Sequence, residues 1–330
     1  MKLLKTVVTT LALTASTAAM AGLKPNVFSC DDLFEQLTAK ENIALGNDID
    51  CDGRLIDYST HRFGAVLEGN GHRIENIATN STYGLLTDSV LVRDVKFIGI
   101  NRVIKESAST NYLIASSTPS NAYFGNLVFR DITSNIPMTS IFNSVDGEID
   151  DLLVRLSTNK FEKYLLANTI KGEMSNITIV GGHTYQTTTG GALVAQYVNE
   201  PASLANIQIS GTKVYGKLVN FSLIAEQLTG YINGMRFENI KFDTPTSQDV
   251  YLTTRNNYYL QTNMVLNLTH DFWTDGDIPL YPDVYELSSD GGIYVEARAD
   301  GENSISAIPP EQCAPFLKQD KYWSPAPIEM

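Results

Sequence analysis

Cysteine is almost absent from this chain of 330 residues, which holds three, and histidine is nearly as scarce, with four. Three cysteines cannot build the dense disulfide framework of a small secreted scaffold. No Cys/His zinc spacing, HExxH, P-loop or dinucleotide-binding glycine pattern occurs, so neither a metal nor a cofactor is expected. Cations are outnumbered, 24 Lys and Arg against 37 Asp and Glu, for a formal charge of −13. Such an acidic surface repels phosphate backbones and excludes general nucleic-acid binding. Beyond residue 21 no run of about 18 apolar residues occurs, so no membrane span is expected. Apolar residues are not lacking: 43% of the chain is hydrophobic and 18% charged, which excludes disorder and suffices for one large domain or two ordinary ones.

Residues 1–21 read as a secretory signal peptide. Lys2 and Lys5 make the basic start, Thr6 to Leu13 a short apolar and Thr-rich run, and Ala19-Met20-Ala21 a small-x-small cleavage site. The predicted location is secreted or periplasmic, and no Cys follows the cleavage site to make a lipoprotein. In that oxidising setting Cys30 and Cys51 pair across a short loop, which staples the first segment to the first strand. Cys313 is left over: buried and inert, paired between chains, or displacing one partner of that bridge.

The middle of the chain repeats a phrase: apolar, any, Asn/Asp/Gly, apolar, any, apolar or Thr. Copies begin at Ile74, Val92, Phe124, Ile149, Met174, Leu204 and Ile232, spaced 18, 32, 25, 25, 30 and 28 residues apart. A second short strand precedes most copies, as in Leu113-Ile114-Ala115, Leu193-Val194-Ala195 and Leu223-Ile224-Ala225. Short β-rich runs separated by Gly, Asn, Ser and Asp are strand-and-turn chemistry. The Asn or Asp inside each copy tolerates the left-handed backbone of a sharp bend, and stacked bends let its side chain bond to a neighbouring coil. One coil cannot bury its apolar face alone, whereas stacked coils can. The predicted fold is all-β, a single-stranded parallel β-helix. A propeller blade needs about 40–50 residues per repeat, and a sandwich has no reason to repeat Asn at one bend.

The segment Phe63-Gly64-Ala65-Val66-Leu67-Glu68-Gly69-Asn70-Gly71-His72-Arg73-Ile74-Glu75-Asn76-Ile77, followed by Gly84-Leu85-Leu86, resembles the opening of bacterial right-handed β-helix proteins with GLUG-type repeats, of the pectin-lyase-like fold class. The resemblance covers roughly residues 28–243 and implies the fold; such repeats serve adhesins, surface proteins and enzymes alike. The expected organisation is a signal peptide (1–21), an N-terminal cap with a helix near Asp31–Ala39 (22–58), β-helix repeats (59–243), then a degenerate last coil at Val265–Thr269 within an irregular C-terminal cap (244–330).

Catalysis on such a fold needs an acidic cluster with a basic residue for a lyase, or two opposed carboxylates for a hydrolase. The residues that come closest are Arg130, Asp131, Asp150, Asp151 and Arg155, from adjacent coils. Asp94 and Asp151, however, stand at the bend position of the repeat, and Asp131 is a comparable bend residue further on. His72 lies inside the structural phrase. His183, Tyr185, Tyr197 and Tyr215 are the candidate ligand-binding residues, since tyrosine faces and hydroxyl donors suit a sugar. Thr187–Thr189 and Thr253-Thr254 do not recur coil by coil, which excludes an ice-binding face.

The leading expectation is therefore a non-catalytic exported β-helix that offers its side to a glycan or protein at a cell surface. The alternatives are a polysaccharide lyase or glycoside hydrolase, and a self-associating envelope component. Sequencing of the exported protein is expected to begin at Gly22; a chain that still begins at Met1 removes the signal-peptide expectation.

Overall fold

The computed structural model describes residues 22–105, 108–162, 164–186, 191–216, 218–238, 240–243, 247–251, 254–257, 265–269, 280–281 and 294–298. The segment expected to be the signal peptide, and most of the expected C-terminal cap with Cys313, lie outside the described residues. The structure is all-β with about 5% helix, and its strands pair in parallel.

Among the described residues the strands form a fifteen-stranded sheet, a six-stranded sheet and a three-stranded sheet, none of which closes on itself. The chain alternates between the first two. Strand Tyr123–Arg130 lies in the long sheet, Ser140–Val145 in the second, Glu148–Phe161 in the long sheet again, then Ala167–Ile170, Glu173–Gln186, Ala195–Val198 and Ser203–Ser210 in the same alternation. Each strand pairs with the equivalent strand of the next repeat, Ile149 with Met174 and Met174 with Leu204. Strand Val265–Thr269 continues the long sheet against Tyr231–Glu238, Leu266 opposite Met235.

Period-two alternation within each copy sends three apolar residues inward. Phe124, Leu127 and Phe129 in one repeat, and Ile149, Leu152 and Val154 in the next, are buried in one continuous core. Phe97 and Phe129 stack there with ring centroids 4.8 Å apart.

Between the first two inward positions the backbone turns sharply. Asp94, Asn126, Asp151, Asn176 and Asn206 all take left-handed conformations, with φ between 51° and 55°. Their side chains bind the neighbouring strand: Asn126 Nδ2 donates to Asp94 Oδ1 at 2.8 Å, Asn176 Nδ2 to Asp150 Oδ1 at 2.9 Å, and Asn206 Nδ2 to Asn176 Oδ1 at 3.1 Å. A second row of bends falls at Gly99, Asp131, Gly181 and Gly211, with φ of 67°, 55°, 82° and 65°; strands Leu91–Arg102 and Glu173–Gln186 run on through it, while Tyr123–Arg130 and Ser203–Ser210 stop before it.

The register corrects the phase of the first copy. Ile74 pairs with Phe97 and Ile77 with Ile100, so Asn76 belongs to the second bend row, beside Gly99. The strand in phase with Val92 is Val66–Glu68, with Leu67 opposite Val92. Gly69-Asn70-Gly71-His72 spans the bend that Asp94-Val95 spans in the next repeat, two residues longer, which hides the phase in the sequence. Counted from Leu67, the first spacing is 25 residues and the irregular 18 disappears.

The longest repeat, Val92 to Phe124, is held by a buried arginine. Arg102 is fully buried, and among the described residues its guanidinium donates to neutral acceptors, Leu113 O, Ser81 O and Asn111 Oδ1. Burial pushes its pKa down to about 9, still above neutrality, so the ion is carried by neutral acceptors.

Helix Cys30–Ala39 opens the described chain. Ser29 Oγ caps it by accepting from Asp32 N, and it buries Leu33, Phe34 and Leu37. Cys30 and Cys51 form the expected disulfide, joining this helix to strand Ile49–Ile56.

Asn176→Ala is expected to destabilise by roughly 2–3 kcal/mol in urea unfolding. It loses the exposed bonds to Asp150 and from Asn206, about 1 kcal/mol together, and leaves a nonpolar Cβ in a left-handed residue, about 1–2 kcal/mol. Asn176→Gly removes the bonds but keeps the backbone relaxed and should lose about half as much; equal losses would mean that bend conformation contributes nothing.

Candidate functional site

The outward residues of the long sheet follow from the same alternation. Two positions after each bend residue stand Lys96, Val128, Leu153, Thr178 and Gln208, opposite one another across successive strands. Two positions further stand Ile98, Arg130, Arg155 and Val180. With Asn126, Asp151 and Asn176 from the bends and Asp48 and Arg73 at one end, they line a groove of about 620 Å³. Its lining combines apolar Val128, Leu153 and Val180 with the cations Arg73, Lys96, Arg130 and Arg155 and the carboxylates of Asp48 and Asp151. That concentration of cations is unusual in a chain of charge −13.

Of the five residues considered for catalysis, the structure brings Arg130, Asp151 and Arg155 to this groove and leaves Asp131 and Asp150 out of its lining. Asp150 accepts from Ser175 Oγ at 2.5 Å and from Asn176 Nδ2 at 2.9 Å, on the other side of the bend. Asp131 sits in a left-handed bend, its carboxylate 3.7 Å from Arg130 Nε. The Asp151 carboxyl is pushed above the usual carboxylate range by burial, then by the charge of Asp150. Asp48, the other acid of the groove, lies 3.1 Å from Arg73 Nε and 3.2 Å from His72 Nδ1. Two opposed, uncommitted carboxylates are not assembled here. Among the described residues no three His, Cys, Asp or Glu side chains group as a metal site.

A different set gathers past the second bend row. Strand Glu173–Gln186 continues through Gly181-Gly182 and presents His183 and Tyr185 outward, while Thr184 between them is buried. In register beside them lie Lys160 on one side and Lys213 and Tyr215 on the other. Phe161 and Val214, the partners of Thr184, are buried as well and anchor the neighbouring strands. Tyr185 and Tyr215 stack at 5.1 Å and 16°, and His183 meets Tyr215 edge-on at 5.4 Å. Lys160 Nζ stands 5.5 Å from the centre of the Tyr185 ring.

Three of the four candidate ligand residues thus converge. Tyr197 does not join them: it lies in the second sheet between Thr169 and Gln227. Just before strand Ala167–Ile170 of that sheet, Tyr164 donates its hydroxyl to Glu226 Oε1 at 2.7 Å, and burial, with that carboxylate, holds the phenol well above its ordinary range. Lys160, Lys213, Lys96 and Arg73 are the side chains that sequence reasoning missed. Their signal was the outward position in each copy, two places from a bend residue or one place from a buried one.

Matches to known proteins do not extend this picture: a scan against protein-family models, a search of curated proteins and a search of solved structures each find none.

The His183 imidazole is held below its ordinary value of 6.5 by burial first, then by the charges of Lys213 and Lys160. Because the unfolded chain takes up that proton at a higher pH than the folded one, this group makes stability fall as pH drops from 6.5 through the folded value. Lys213→Ala is expected to move the His183 titration upward in an NMR pH series. An unchanged or lower midpoint would show that the two groups do not interact.

Proposed function

We propose that this chain is an exported, non-catalytic, right-handed parallel β-helix that binds a glycan at a cell surface through its flank. The fold part rests on the alternation of the chain between two parallel sheets, one repeat advancing each strand by one place. Parallel neighbours joined by a crossover are right-handed in about 98% of cases. The resemblance of residues 63–86 to GLUG-type openings points the same way. On this reading residues 22–58 cap the first coil, residues 59–243 form the coils, and residues 244–330 hold a last coil and a second cap. The Cys30–Cys51 disulfide fits an oxidising, secreted or periplasmic setting.

The observation that carries the binding part is the Tyr185–Tyr215 stack with His183, Lys160 and Lys213 around it. Aromatic faces beside hydrogen-bond donors offer a pyranose both of the contacts it needs: apolar surface for its C–H face and donors for its oxygens. Parallel strands hold those side chains on a rigid sheet, so little ordering entropy is lost on binding. Hydrolysis is favoured less, because Asp150 and Asp131 are engaged in the bends.

Titration calorimetry of the full chain against a panel of neutral and acidic oligosaccharides tests this. At least one is expected to bind, and Tyr215→Ala to weaken it by roughly 1–2 kcal/mol, the usual cost of an aromatic anchor. No binding by any member, or binding indifferent to Tyr215, would overturn the proposal; new reducing ends in the same mixtures would replace binding with turnover.

A further inference from the structure

Resting on the glycan-binding reading, we infer that the ligand is an acidic glycan, bearing carboxylate or sulfate groups, and that it runs from the tyrosine patch across the second bend row into the cationic groove.

Two sets of cations meet at that bend. Lys160 and Lys213 flank the neutral donor His183 in one row of three adjacent strands, whose backbones run about 4.8 Å apart. On the groove side, Arg130 and Arg155 stand on adjacent strands, with Lys96 one strand further. The two sets share strands: Arg155 and Lys160 both lie on Glu148–Phe161, and Val180 and His183 both lie on Glu173–Gln186. Two residues, Gly181 and Gly182, separate Val180 from His183, at most about 10 Å of extended chain from one to the other. An oligosaccharide long enough to cover the patch therefore reaches the groove without leaving the surface.

The charge distribution selects the ligand's sign. On a chain of net charge −13, cations gathered on two adjoining outward faces make a local attraction that a neutral sugar cannot use. The Nε of Arg130 is buried without a hydrogen-bond partner, and the nearest carboxylate, that of Asp131, is 3.7 Å away. The terminal nitrogens of this half-exposed side chain, not the buried Nε, are the ones that can donate to a ligand carboxylate or sulfate. The apolar lining residues Val128, Leu153 and Val180 then offer surface to the C–H faces of the sugar rings. Asp151, at the first bend row, repels such a ligand, which favours placing its anionic groups toward Arg130 and Arg155 further along the strands.

The test is calorimetry of the full chain with five probes: a galacturonate octamer, its fully methyl-esterified counterpart, a heparin-derived sulfated octamer, and the tetramers of the two acidic glycans. Esterification removes charge but keeps the ring faces. At least one acidic octamer is expected to bind about ten-fold more tightly than the ester, and to weaken with added salt. Whichever of the two is preferred identifies the acidic group. The variant Lys96→Ala/Arg130→Ala/Arg155→Ala should lose about ten-fold toward that octamer and about two-fold or less toward a tetramer of the same glycan, whose binding also reports that the variant is folded. Lys24→Ala, a charge removed in the N-terminal segment, should change neither.

If the ester binds as tightly as the acids, or the groove variant keeps full octamer affinity, while Tyr185→Ala/Tyr215→Ala abolishes binding, this inference falls and the tyrosine patch stands. If octamer binding is lost with the groove residues and indifferent to both tyrosines, the patch reading falls, together with the continuous path. If no probe binds, the ligand class inferred here is wrong, and the neutral members of the wider panel then decide the patch reading separately.

Discussion

A residue in left-handed conformation, at the same bend of successive repeats and with a short side chain that bonds to the next strand, is the constraint on which the long sheet depends. Asn126, Asn176 and Asn206 each meet it with a donor aimed at a carboxylate or amide oxygen of the previous repeat. The bend turns the chain between two inward apolar positions, and the hydrogen bond keeps each strand from slipping against its neighbour. A slip of one residue would exchange core and surface along the whole strand, since side chains alternate with period two. Deviations are confined to places that have their own support, such as the four-residue bend at Gly69–His72 and the inserted segment around Arg102.

That register also makes the surface. Because every repeat turns at the same place, outward residues of different repeats align into rows, and chemistry scattered over some 140 residues becomes adjacent. Lys96 and Gln208 face the same groove although 112 residues separate them in the chain. Lys160, His183 and Lys213 become neighbours for the same reason. The second bend row divides the outer surface into a partly apolar groove and a patch of stacked tyrosines, each held by buried residues directly behind it.

The fate of the acidic residues shows the same hierarchy. Asp94, Asp131 and Asp151 occupy bends, and Asp150 accepts two hydrogen bonds from the following repeat. Carboxylates that could be taken for chemistry when read singly are set by geometry first. Asp151 does both, holding a bend and lining the groove.

By itself the sequence determined the all-β character, the recurring bend, the helix near residue 31 and the Cys30–Cys51 pair, because each depends on local conformational preference or short chain separation. Asn in a left-handed bend and period-two apolar residues leave a mark at every copy. Tertiary structure decided the phase of the first repeat, since Asn76 and Asp94 sit in similar phrases and only strand pairing tells the two bend rows apart. It also decided which outward residues meet: Tyr197 falls in the second sheet while Tyr185 and Tyr215 stack, and Lys96, Arg130 and Arg155 line one groove. Those neighbours are set by the number of residues in each connecting turn, and turn length, unlike apolar periodicity, carries no mark of where the chain will return.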